Sequence, residues 1–247
     1  MTSIVIRRGD WLPAIRPLGA GEAVAAVGDV HGHDDLFAAL MDSVAEDLSG
    51  AEQATFIQVG DLVDRGPASL GALRRARAGL PGAQSFALMG NHEDRMLRAL
   101  AGDPAEQDSW LGFGGAETLA SARVDPRDPA WPERLREALG DELTAWLAAL
   151  PVSRRVGDLL FVHAGIDPDA PLDRQQPRTM IWTRWPWLDS SGPYPEGVAV
   201  IHGHTPQPRV NLAHPHRINL DTGAFRTGLL SALVVAGDRM RLVQASR

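Results

Sequence analysis

One repeated pattern constrains this chain most: a short apolar run that stops abruptly at glycine and metal-ligand types of residue. Ala23–Val27 runs into Gly28-Asp29, Thr55–Val59 into Gly60-Asp61 and Ser85–Met89 into Gly90-Asn91-His92. Leu159–Val162 runs into His163-Ala164-Gly165, and Val198–Ile201 into His202-Gly203-His204. Runs of this length, rich in Val, Ile and Ala and bounded by Gly, read as buried strands. Helical patterns separate the first three. Asp35–Leu48 sets Leu36, Leu40, Val44 and Leu48 on one face, and Ser69–Gly79 and His92–Leu100 are shorter candidates. Strand alternating with helix predicts βαβ units, a parallel core sheet and an α/β fold. In such sheets ligand sites gather beyond the carboxyl ends of the strands, so residues as distant in sequence as Asp29 and His204 can share a pocket.

The stretch from Pro104 to Leu150 departs from this pattern, with Trp110, Gly114-Gly115, Pro126, Pro129 and Pro132 before a helical run through Trp146. It reads as a small helical insertion or cap, residues 104–150, inside a single domain spanning residues 1–247. A chain of 247 residues is long enough for one large core and short for two. Arg217–Leu220, Leu229–Val235 and Met240–Val243 return to strand patterns, with Gly237-Asp238 suited to a hairpin turn. Pro186–Pro195 reads as a surface loop.

Composition removes several chemistries. The chain has no cysteine, which excludes disulfides, thiolate metal sites and cysteine nucleophiles. Its formal charge of -7 argues against nucleic acid as the main partner, because such binding draws on Lys and Arg. A metal site can still attract a small phosphorylated substrate locally. No apolar run has membrane length and no signal peptide is evident, so the expected location is the cytoplasm, with no membrane partner.

The polar clusters carry the chemistry. Asp29 and His31, two apart on an extended segment, can point the same way and suit a borderline divalent metal, although Asp-x-His also occurs by chance. Asp61, Asp64 and Arg65 follow a buried strand, where unpaired charges are costly, so they are ligands or a salt-bridged turn. Asn91 and His92 are equally readable as a helix start with Asn91 as N-cap. His163 and His204 taken singly could be satisfied core histidines. Five strand ends that all carry ligand types are harder to explain as structural coincidence.

Together, Gly28-Asp29-Val30-His31-Gly32, Gly60-Asp61-Leu62-Val63-Asp64-Arg65-Gly66, Gly90-Asn91-His92-Glu93, His163-Ala164-Gly165 and Gly203-His204-Thr205 resemble the motifs of the phosphoprotein phosphatase family of calcineurin-like metallophosphoesterases, in that family's order. The resemblance covers about residues 23 to 235 and is closest to the bacterial and phage-type serine/threonine protein phosphatases. It implies a central β-sandwich built from βαβ units and flanked by helices. It further implies that Asp29, His31 and Asp61 hold one metal and that Asp61, Asn91, His163 and His204 hold a second. Two divalent ions, manganese first and iron, zinc or cobalt as alternatives, would sit roughly 3.5–4 Å apart and activate a bridging hydroxide. His92 resembles the general acid, Asp64 the carboxylate that orients it, and Arg65 and Arg184 the phosphate-binding arginines. His33 and His202 are not carried over as ligands.

The resemblance implies hydrolysis of phosphate monoesters, read first as a protein phosphatase acting on a phosphorylated protein or small phosphorylated substrate. A dinucleoside polyphosphate hydrolase cutting diadenosine tetraphosphate is the alternative, and an inactive metal-binding scaffold is the reading from another class. Asp64 favours the first, since symmetrical diadenosine tetraphosphate hydrolases often have Ala there. Oligomeric state and natural substrate are not legible.

Overall fold

The computed structural model describes residues 3–247, so residues 1 and 2 of the expected domain lie outside the described residues. Among the described residues, eleven strands form two sheets packed face to face. One sheet contains β1 (Val5–Arg8), β2 (Leu12–Pro13), β3 (Glu22–Val27), β4 (Gln53–Gln58), β5 (Gln84–Ala87), β10 (Leu229–Ala236) and β11 (Arg239–Ser246). Its order is β1-β11-β10-β3-β4-β5, with β2 paired to β11. The other sheet has the order β6 (Ser153–Val156), β7 (Leu159–Val162), β8 (Ala199–His202) and β9 (Arg217–Asn219).

Alternation along the strands builds three apolar layers. In β3, Ala23, Ala25 and Val27 face the helices, while Val24 and Ala26 face the second sheet. In β7, Leu159 and Phe161 point between the sheets and Leu160 and Val162 point outward onto Trp187. A period of two is what a strand buried on both faces must show.

The expected parallel strands are present in both sheets, extended by antiparallel neighbours. β3, β4 and β5 are parallel, as are β7, β8 and β9, but β10, β11 and β1 run antiparallel beside β3. Hairpins joined by short turns give antiparallel pairs, and only the βαβ crossovers give parallel ones. The Gly237-Asp238 turn does join β10 to β11. β1, β2 and β6 were not anticipated, because their sequences are polar or very short.

Helices α1 (Asp34–Leu48), α2 (Ser69–Ala78) and α3 (Asn91–Leu100) fall close to their expected places. Residues 104–150 are helical, with α4 (Pro104–Trp110), α5 (Ala116–Ser121), α6 (Trp131–Leu139) and α7 (Asp141–Ala148). Trp110, Leu119, Leu135 and Leu147 belong to the same core as the first sheet, so the insertion is part of the body as well as a cap. The two remaining short helices are α8 (Pro177–Trp182) and α9 (Ala224–Thr227). The segment from Pro186 to Pro195 is a surface loop held down by two buried side chains, Trp187 and Tyr194, at 0% and 3% exposure. No described helix is long and apolar enough to cross a membrane.

Candidate active site

All the parallel strands deliver their polar residues to one end of the sandwich. Asp29 and His31 leave β3, Asp61 and Asp64 leave β4, Asn91 and His92 open α3, His163 leaves β7 and His204 leaves β8. Every one of these side chains is buried. Among the described residues seven non-glycine residues have positive φ, and five of them are His31, Asp61, Asp64, Arg65 and His204. Side chains rarely adopt that region, so the loops carry backbone strain where the polar groups converge. Two glycines let the loops close: a Cβ at Gly90 would collide with the backbone nitrogen of Asp61, and one at Gly203 with Asp29 Oδ1.

Asp61 lies at the centre. Its Oδ1 is 3.3 Å from His163 Nε2, and its Oδ2 is 3.5 Å from His31 Nε2 and 3.9 Å from His92 Nε2. The two oxygens therefore serve two sets, His31, Asp61 and His92 on one side and Asp61, His163 and His204 on the other, with donor atoms within 4.8 Å in each. Asn91 Oδ1 joins the second set, 2.9 Å from His163 Nε2 and 2.7 Å from His204 Nδ1. Asn91 is thus not the helix cap; Gly90 takes that position.

These donors fit divalent cations. His31 Nδ1 donates to Val63 O at 2.9 Å and His163 Nδ1 donates to Val59 O at 3.0 Å. That fixes the tautomer and turns each Nε2 lone pair toward Asp61. Lone pairs facing carboxylate oxygens at this range repel one another unless a cation lies between them. Burial pushes His31, His163 and His204 down, His204 to about 3. Burial alone would lift Asp61, but the imidazole of His163 foremost, then those of His92, His31 and His204, hold it well below its ordinary value. Neutral imidazoles around an ionised carboxylate are the protonation states that ligation requires.

Asp29 stands apart from the tight sets. Its oxygens accept the His204 backbone N–H at 3.0 and 3.2 Å. Burial and then Asp221 raise its acid, while burial takes Asp221 up to about 6.

His92 and Asp64 form a buried pair. His92 Nδ1 donates to Asp64 Oδ2 at 2.6 Å, leaving Nε2 toward Asp61. Asp64 also accepts from Trp110 Nε1 at 3.0 Å and from Thr118 Oγ1 at 2.7 Å, and burial raises its acid against these donors. Phe113 stacks on the His92 ring at 4.6 Å. Glu93 holds the neighbouring loop: its two oxygens accept the backbone N–H groups of Gly90, Asp61, Leu62 and Val63 at 2.7 to 3.0 Å.

Arginines and aromatic rings line the rim. Arg65 donates to His31 Nε2 at 3.0 Å and lies 4.4 Å from the Phe225 ring and 5.4 Å from Phe113. Arg95 lies 4.4 Å from Phe113 and 5.1 Å from Trp182. Arg184 is exposed, and its charge helps push His163 and His204 down. His33 turns instead to Arg247, and His202 Nδ1 donates to Gly203 O, so neither joins the donor sets. Trp110, Phe113, Thr118 and Phe225 were missed in the sequence because they lack ligand chemistry and no motif marks them. The Gly114-Gly115 turn beside Phe113 was the available signal.

The sequence profile of the calcineurin-like phosphoesterases matches residues 23–236. A symmetrical bis(5'-nucleosyl)-tetraphosphatase of Acidovorax sp. (strain JS42) is 36% identical over 152 residues, covering 59% of this chain. The match spans less than half, 45%, of that relative's length. One of Bordetella parapertussis is 28% identical over 272 residues, covering 91% of this chain and 96% of its own. A solved structure assigned as a diadenosine tetraphosphatase superposes with a TM-score of 0.65 at 22% identity, over 94% of this chain and 96% of its own. A serine/threonine phosphatase of Saccharomyces cerevisiae superposes at 0.57 with 14% identity, over 87% and 73%.

Proposed function

This chain belongs to the calcineurin-like phosphoesterase family, and we propose that it hydrolyses dinucleoside polyphosphates, cutting a phosphoanhydride bond at the two donor sets that share Asp61. The names of the Acidovorax and Bordetella relatives support this substrate. The observation that carries it is the rim, where Arg65 and Arg95 alternate with Phe225, Phe113 and Trp182. A row of guanidinium groups between aromatic faces suits a run of phosphates that ends in bases.

In this reading His31, Asp61 and Asp29 hold one divalent cation, and Asp61, Asn91, His163 and His204 hold the other. When bound, such a pair would neutralise phosphate charge and lower the pKa of a water molecule. The chain's own groups do the rest. Arg65 and Arg184 fix the phosphoryl oxygens. His92 Nε2 delivers a proton to the departing oxygen as the water oxygen bonds to phosphorus and the P–O bond breaks. Asp64 keeps the His92 ring in the required tautomer and orientation. Glu93 holds the Asp61 loop in its strained form.

The Asp64–His92 pair favours a second reading, a serine/threonine protein phosphatase, whose poorer leaving oxygen needs a well-supported acid. The assay that separates the two compares diadenosine tetraphosphate, phosphopeptides and p-nitrophenyl phosphate with added manganese. The first reading predicts two molecules of ADP per dinucleotide and a kcat/KM at least about tenfold above the phosphopeptides, a difference of roughly 1.4 kcal/mol. An intact dinucleotide beside cleaved phosphopeptide would transfer the assignment to the second.

A further inference from the structure

A pocket of about 350 Å³ adjoins the loop that carries His204, within the roughly 300–1,000 Å³ of ordinary small-ligand sites. Two pairs of consecutive residues connect it to the candidate active site. Arg184 acts electrostatically on His163 and His204, and the next residue, Trp185, walls the pocket. His204 belongs to a donor set, and the next residue, Thr205, is also in the wall.

The wall offers three kinds of contact. Trp185 is 67% exposed and has no aromatic or cationic neighbour stacked on its ring among the described residues. Arg209 is exposed and makes no hydrogen bond or ion pair among the described residues. His202, 1% exposed, closes the inner side; its Nδ1 donates to Gly203 O at 3.1 Å and its Nε2 has no partner. Arg217 is otherwise committed, donating to Trp187 O and Leu188 O at 2.7 and 2.6 Å. A flat apolar face, a free guanidinium and an unmatched acceptor side by side suit an aromatic base with an attached phosphate. A recess of about 690 Å³ between α2 and α7 offers no such set, since Arg77 there is paired to Glu142 at 2.8 Å.

We infer that this pocket is the nucleoside subsite of the enzyme, with the base stacked on Trp185 and Arg209 on the phosphate that joins the nucleoside to the group held at the donor sets. The inference rests on the dinucleotide reading and names where one nucleoside of that substrate goes. Base stacking on an aromatic side chain also explains how a site could bind nucleotides without demanding one base.

The test uses the manganese-loaded full chain and Trp185→Ala, Trp185→Phe and Arg209→Ala variants, with melting temperatures as a control for folding. Adenosine monophosphate is titrated by calorimetry. The expected result is an affinity about tenfold weaker in Trp185→Ala, the scale of one lost stacking contact, with most of it restored in Trp185→Phe. Arg209→Ala is expected to weaken adenosine monophosphate but not adenosine. In turnover, kcat/KM for diadenosine tetraphosphate should fall at least about fivefold more than that for p-nitrophenyl phosphate in Trp185→Ala. Equal affinity in wild type and Trp185→Ala, or no binding by the wild type, would overturn the subsite. If the wild type cleaves no dinucleotide the proposed function fails, and the titration still decides the pocket.

Discussion

The indole N–H of Trp110 donates to Asp64 Oδ2 across 3.0 Å. This bond ties the helical insertion to the buried His92–Asp64 pair, because the same oxygen accepts from His92 Nδ1. Trp110→Phe keeps the buried ring and removes only the donor. It is expected to lower kcat about tenfold while leaving KM and metal content unchanged, as befits loss of one hydrogen bond to a charged group worth roughly 1.5–3 kcal/mol. Steady-state kinetics beside metal analysis checks this; a change confined to KM would remove Trp110 from the His92 support.

His92→Asn should discriminate between leaving groups. An alkoxide needs a proton in the transition state and p-nitrophenolate scarcely does. The loss in kcat is expected to be about 10²–10⁴-fold for phosphoserine peptide and far smaller for p-nitrophenyl phosphate and for diadenosine tetraphosphate, whose departing ADP oxygen is also weakly basic. Equal losses on all substrates would show that His92 acts as a ligand or spacer and not as the acid.

Glu93→Gln tests the loop clamp. Two carboxylate oxygens accept four backbone N–H groups, and an amide offers one oxygen and points an NH₂ at donors. Leaving buried donors unmatched is expected to cost about 2–5 kcal/mol in urea unfolding. An unchanged midpoint would contradict the clamp.

Stability of the metal-free chain should fall on acidification. Burial holds His202 and His204 down to about 3 in the folded state against an ordinary value of 6.5. The unfolded chain therefore binds protons first, so the stabilisation is complete above pH 6.5 and is lost as pH falls from there toward 3. Denaturation midpoints across that window check the sign, and His202→Gln should flatten the slope.

The parallel half of the fold and the polar cluster at its end were legible in the sequence, for one reason. Strand ends in βαβ units place Asp29, Asp61, Asn91, His163 and His204 at one end of the sandwich, and such residues after buried strands have few structural uses. The antiparallel β1 and β6 were illegible because VIRR and SRRV sit at sheet edges, where polar residues are tolerated. The support of Asp64 by Trp110 and Thr118 joins residues 46 and 54 positions apart, across an insertion whose path no local pattern dictates. The same holds for Asp221, whose meeting with Asp29 depends on how the late strands return to β3.

Asp61 turns one oxygen to each donor set, the arrangement that the proposed sharing of this residue by two cations requires. The most direct measurement is metal content by mass spectrometry after loading and desalting, together with turnover, for wild type and Asp61→Asn. Two ions per wild-type chain, with fewer than two and turnover nearly abolished in Asp61→Asn, are the predicted results. An Asp61→Asn chain that retains two ions and full turnover would contradict the account.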